Sequence, residues 1–193
     1  MCIRDRYKVI TAPDVEPISL DEFKAQARYP IGISDPQDGI FNIKIRAART
    51  AIEKLCSIAM ITRTLEMGLP SLATRIPLEV TPVTSKEDIT IKYKDQDNQE
   101  KTLAPDKYDL DDYTAPPAIV IHEPPAISYS SVNPIKITYK AGYGATPSDV
   151  PADLREAVLI IANKMEAQRI NAGNIMGLVG HIIDNYRNHY GRI

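Results

Sequence analysis

"ITYKAGYGATPSDVPADLREAVLIIANKMEAQR", residues Ile137–Arg169, decides the fold. Ile135, Ile137 and Tyr139 alternate with polar residues, the period of a half-buried strand. Gly142 and Gly144 mark a turn, and beyond it the spacing becomes helical. Asp149 is placed to cap that helix, Pro151 suits its first turn, and Asp153 and Glu156 complement its dipole. Leu154, Ala157, Val158, Ile161, Ala162 and Met165 form one stripe, and Leu159 and Ile160 fall outside it. So apolar a helix needs partners on more than one side, from its own domain or from a neighbouring subunit. Strand, glycine turn, helix is also the layout of a phosphate-binding loop, which needs free backbone amides and then a Lys with a hydroxyl residue. Here Pro147 and Pro151 lack the amide hydrogen, and Asp149 and Asp153 place negative charge where a phosphate would sit. The glycines therefore redirect the chain.

Upstream, the same two-residue period recurs at Leu65, Met67 and Leu69, and at Ile89, Ile91 and Tyr93. "KYDLDD" and "AIVIHE" read as two more short strands, and "KDQDNQEK" as a hairpin turn. The breakers "YTAPPA" and "EPPAIS" separate them, and their prolines argue against central positions in a sheet. Nearer the start, "EPISLDEFKAQAR" has Ser19 and Glu22 at capping-box spacing, with Leu20, Phe23 and Ala27 on one face and Pro30 as the stop. From Asp38 a second helix buries Phe41, Ile45, Ala48, Ile52 and Leu55. Its other side carries Lys44, Arg46, Arg49, Glu53 and Lys54, read as a solvated face or as a contact surface in an assembly.

These patterns predict an α+β fold, a helical bundle with an inserted small antiparallel β-sheet or sandwich. Helices are expected over about 19–29, 38–58 and 151–170, and strands over about 62–143, in a single domain spanning 7–173. Gly173, Gly177 and Gly180 are expected to loosen the chain before a tail, 174–193. In the tail, Ile182, Ile183, Tyr186 and Tyr190 lie on one apolar face, with Arg187 beside them. One back-translation of "MCIRDR", residues Met1 to Arg6, reproduces the mosaic end of a library-preparation transposase. Those six residues are expected to be a sequencing scar that does not contribute to folding.

A chain of 193 residues is long enough to bury roughly 70% of its unfolded surface. The longest apolar run, Ala157 to Ala162, is far too short to span a bilayer, so no membrane role is expected. With no signal peptide recognised, synthesis in the host cytoplasm is the expectation. The net charge of −2 weighs against a protein whose main task is to grip nucleic acid. With Cys2 set aside, Cys56 stands alone in a helical pattern and reads as a small buried residue. His122, His181 and His189 lack metal-ligand spacing, and Asp109, Asp111 and Asp112 read as charges guarding an exposed strand edge. No catalytic, cofactor or metal residues are assigned, so an enzyme is not expected.

The order of these pieces carries a resemblance. "EPISLDEFKAQAR", "IKIRAARTAIEKLC", "TRTLEMGLP", "IPLEVTPVTSKEDITIKYKDQDNQEKTL", "KYDLD", "IKITYKAGYG" and "VPADLREAVLIIANKMEAQR" follow one another as in the head–tail connector (adaptor) proteins of long-tailed bacteriophages, encoded beside the portal and capsid genes. The likeness runs from about Pro17 to Arg169. At the hairpin, "QDNQ" stands where relatives often place Asp-Gly, which leaves only the turn geometry in question. The resemblance implies a structural ring in the virion neck, a dodecamer beneath the portal. The ring would extend the DNA channel and receive a stopper or tail-completion protein, and DNA would pass without tight binding. It also implies that the C-terminal segment reaches the portal. Leu159, Ile160, Ile182, Ile183, Tyr186, Arg187 and Tyr190 are the candidate contacts to another subunit or to the portal. A DNA-packaging or DNA-binding factor, or a small enzyme, stands as the alternative. The first would need a basic stripe, and Glu53 interrupts the candidate Lys44, Arg46, Arg49 and Lys54.

Overall fold

The computed structural model describes residues 7–128, 130, 132–168 and 175–187. The fold is α+β, in two compact units. One holds 7–12 and Thr62–Gly142, the other Pro13–Ile61 and 143–187.

The second unit is helical: α1 (Leu20–Ala27), α2 (Asp38–Cys56), α3 (Ala152–Gln168) and α4 (Ile175–Ile183). α1 starts on the expected capping box, with the Glu22 amide donating to Ser19 Oγ and the Ser19 amide to Glu22 Oε2. It ends at Arg28, whose positive φ of 61° lets its amide close the last turn. Phe23, Phe41, Ala48, Ile52, Leu154, Ala157, Val158 and Ala162 are fully buried together. Each buried Phe or Ile side chain contributes roughly 1.5–3 kcal/mol. Phe41 lies between Phe23 and Tyr29, with ring centroids 5.2 and 4.9 Å away.

Four local expectations change in this unit. Leu55, expected in the buried stripe of α2, is 36% exposed, and Cys56, one residue on, takes the core position. Arg49 and Glu53, expected on the solvated side, are each only 6% exposed. Arg49 Nη1 donates to Glu53 Oε2 at 2.9 Å, and its Nε donates to Glu16 Oε2 at 2.6 Å. Burial works against the Arg49 charge, but Glu16 and Glu53 outweigh it and hold its pKa above the ordinary value. Asp149 does not cap α3. It closes a 3-10 turn, Pro147–Asp149, by accepting from the Thr146 amide and hydroxyl, each at 2.8 Å. Gly177 and Gly180 lie inside α4 instead of loosening the chain. Each costs about 1 kcal/mol in helix propensity, which the burial of Val179 and Ile183 offsets.

The first unit is built from antiparallel strands. A five-stranded sheet has the order β1 (Tyr7–Thr11), β2 (Arg63–Leu69), β8 (Ile135–Ala141), β4 (Thr90–Lys94), β5 (Glu100–Thr102). A three-stranded sheet has the order β3 (Arg75–Pro77), β7 (Ala118–Ile121), β6 (Tyr108–Asp111). The alternation in β2 and β8 sets the register, pairing Leu65 with Tyr139, Met67 with Ile137 and Leu69 with Ile135. Ile137 also faces Ile91 across β4. Tyr108 joins the two sheets, its hydroxyl donating to the Ile89 carbonyl at 2.8 Å. At the β4–β5 hairpin Asn98 takes the positive φ, 62°, that a glycine would otherwise supply. The Asp95 carboxylate secures that turn by accepting from the Asp97 and Gln99 amides. β1 is a further correction, because the sheet is not wholly inserted between helices. "YKVIT" has no clean alternation and four of its five residues are exposed, so periodicity could not mark it as a strand.

Candidate functional site

The expected contact residues lie on α3, on α4 and just after it. Leu159 and Ile160 are half-buried and pack on the helical core, so the second side of α3 is partly covered within its own unit. Ile182 is also half-buried against that core. Ile183 has no exposed surface, and the Cys56 thiol lies 3.7 Å from its carbonyl. Its side chain belongs to the core of its own unit. Burial pushes the Cys56 thiol up to about 11. Tyr186, half-buried, places its hydroxyl 2.7 Å from both Asp153 carboxylate oxygens and meets Tyr143 edge-on at 6.4 Å. Burial and the bond to Asp153 push Tyr186 up to about 12. Arg187 pairs with Asp184 at 3.4 Å. Tyr190 lies outside the described residues, as do Gly173 and His189. The structure thus brings Ile182, Ile183 and Tyr186 onto α2 and α3.

The polar groups expected to guard strand edges are in place. β6 is an edge strand, and its Asp109 contacts both Lys86 and His122, the latter at 2.9 Å. Those two partners hold the Asp109 carboxyl below the usual carboxylate value. Asp111 pairs with Arg75 on β3 at 2.6 Å. Among the described residues no group of three or more His, Cys, Asp or Glu is placed to hold a metal ion. Among them, too, no helix is long and apolar enough to cross a membrane. The glycine turn holds a carboxylate where a phosphate loop would hold an anion: a side chain at Gly144 would collide with Asp149.

The expected contact set leaves out an apolar surface on the helical unit. Ile31, Ile33, Ile40 and Ile43 are 55%, 66%, 51% and 65% exposed. A signal for it exists in the sequence: Ile40, Ile43, Ala47, Ala51 and Leu55 form a second helical stripe on α2, interleaved with the first. No such interleaving is visible when the strongest period alone is followed.

Solved structures share this fold over nearly its whole length. A chain from the neck of an empty gene transfer agent (GTA) particle, computed with C6 symmetry, matches with a TM-score of 0.78 and 25% identity, covering 94% of this chain and 95% of that one. A chain from the virion of a native GTA particle matches with a TM-score of 0.75 and 24% identity, over 94% and 95%. A third, from the neck of a native GTA particle computed with C12 symmetry, gives 0.70 and 23%, over 94% of each chain. The chain matches no protein-family model and no curated protein.

Proposed function

We propose that this chain is a structural head–tail connector subunit of a tailed-phage neck. Copies form a ring beneath the portal, twelve in the virion, and extend the channel through which DNA leaves the head. The opposite rim receives a stopper or tail-completion protein. The likeness to a neck chain over 94% of this sequence, at a TM-score of 0.78, carries this reading. The C6 and C12 symmetry of the neck particles supports a closed cyclic arrangement. The net charge of −2 suits a conduit, since a duplex held by many phosphate contacts would not slide. No catalytic step is part of the role. The C-terminal residues, with Ile182, Tyr186, Arg187 and Tyr190, remain the proposed portal side, and Leu159 and Ile160 a proposed subunit contact.

The test is co-expression with the portal protein of the same phage. The expected result is co-purification, with averaged electron micrographs showing a second ring of matching symmetry under the portal. A chain that never co-purifies with that portal is not its connector.

A further inference from the structure

α2 carries two apolar stripes, and its own unit uses one. Phe41, Ile45, Ala48, Ile52 and Cys56 are at most 1% exposed. The second stripe, Ile40, Ile43, Ala47, Ala51 and Leu55, advances in steps of three or four residues. At 3.6 residues per turn it lies about 120° around the helix axis from the first. Ala47 is exposed, Ala51 half-buried, and Ile40, Ile43 and Leu55 are 51%, 65% and 36% exposed. Ile31 and Ile33 add to it from the preceding loop, which is held in place. Buried Lys24 donates to the Ile33 carbonyl at 2.9 Å and pairs with Asp38 at 2.6 Å, keeping the Ile33 backbone at the first turn of α2. Exposed isoleucines occurring singly need no explanation, but four in so short a stretch mark a contact surface.

Charge identifies what fits it. Along α2 the exposed charges are cationic: Lys54 is exposed, and the Arg46 side chain is 68% exposed although its Nε lies 3.6 Å from Glu16. Its carboxylates are withdrawn, Glu53 into the core and Asp38 against Lys24. A matching partner is therefore acidic with apolar ground between its charges. The helical unit carries exposed carboxylates elsewhere. Asp21 of α1 and Asp153 and Glu156 of α3 are exposed, and half-buried Ile160 follows Glu156 by one turn. Arg155 ties these helices by contacting Glu22 and donating to the Pro17 carbonyl at 3.0 Å.

We propose that the second stripe of α2 docks one copy of this chain onto the acidic turns of α1 and α3 of the next copy. This rests on the ring reading above. A cyclic assembly of more than two copies joins two different surfaces at every contact, and here the two have opposite charge. Ala47 and Ala51, lying between Ile43 and Leu55, let a neighbouring helix approach closely.

The experiment is disulfide trapping at high protein concentration, in a Cys2→Ser background with an added oxidant. Ala47→Cys chains are mixed with Glu156→Cys chains. The expected product is the mixed disulfide, in clear excess over either homodimer. Adding Ile43→Asp to the Ala47→Cys chain should lower its yield about tenfold. Ile43 is exposed, and an unchanged melting curve would show that the fold is kept. A mixed yield no higher than the homodimers overturns the inference, as does dominance of the Ala47→Cys homodimer, which would mean a two-fold contact. Loss of DNA binding in Arg46→Glu/Lys54→Glu with the trapping yield unchanged would assign the face to nucleic acid, and also overturns it. The neck reading stands or falls separately: portal capture without trapping keeps the connector and removes this interface, and trapping without portal capture does the reverse.

Discussion

Asp149 occupies the space that Gly144 leaves empty, and its carboxylate accepts from the amide and hydroxyl of Thr146. Those bonds, the backbone one foremost, hold its pKa below the ordinary carboxylate value. The folded carboxyl thus binds a proton less readily than the unfolded one. The stabilisation is present above the unfolded pKa and is lost as pH falls through the folded one. Asp38 behaves alike because Lys24 donates to it. The urea midpoint should therefore fall as pH drops from about 5 to about 2, and Asp149→Asn should flatten that fall. Gly144→Ala should cost about 1–3 kcal/mol at neutral pH, read from the same denaturation curves, because the methyl group must displace Asp149. Cys56 gives an independent check on burial. With its thiol pushed up to about 11, it should resist a thiol reagent at about pH 8 in the native Cys2→Ser protein and react on unfolding.

α2 and α4 show how helices acquire partners that local pattern does not name. Arg49 on α2 is shared by Glu53, one turn on, and by Glu16, in the segment before α1. Arg49→Ala should destabilise by about 3 kcal/mol, since it strips a buried carboxylate of its cation. Arg46→Ala should stay within about 0.5 kcal/mol, because its side chain is 68% exposed and 3.6 Å from Glu16. Thermal melts of the two variants side by side would test the contrast. α4 contributes Val179 and Ile183 to the core, both with no exposed surface. Ile183→Ala should cost about 2–4 kcal/mol, and ending the chain after Gly180 should lower the melting temperature clearly. A truncation with no thermal effect would instead restore the expectation of a freely swinging tail.

Taken whole, the chain combines a helical unit and an antiparallel unit with a net charge of −2. On α2 the exposed cations are Arg46 and Lys54, too few for a stripe that follows a duplex. Binding of duplex DNA at physiological salt should therefore be weak, and competitor DNA should abolish it in a gel shift. A tight complex surviving competitor would favour the packaging-factor alternative over a conduit. Three of the sheet edges are built to discourage random pairing. β3 is three residues long and ends in Pro77, β5 is short and charged, and β6 carries Asp109 and Asp111.

Features written into neighbouring residues are legible in the sequence by itself. The capping box at Ser19 and Glu22, the alternation within Leu65–Leu69 and within Ile135–Ala141, and the buried stripe of α3 all depend on side chains within a few positions of one another. Of the candidate site, the apolar character of α3 and of the segment after it can be read there, and its use cannot. Whether Ile183 meets a partner or its own core depends on where α2 lies, as its carbonyl beside Cys56, 127 residues away, makes plain. Glu166 likewise meets Tyr29 and Lys44 across more than a hundred residues. Arg49 and Glu53 read as solvated because their helical face is polar, and the distant Glu16 and Met60 amide are among the groups that meet them when buried. Helix and strand periods report which faces are apolar, through steric and solvation preferences that act locally. Which surface covers each face is set by contacts between distant segments, and folding decides it by burying the most apolar area with every buried charge paired.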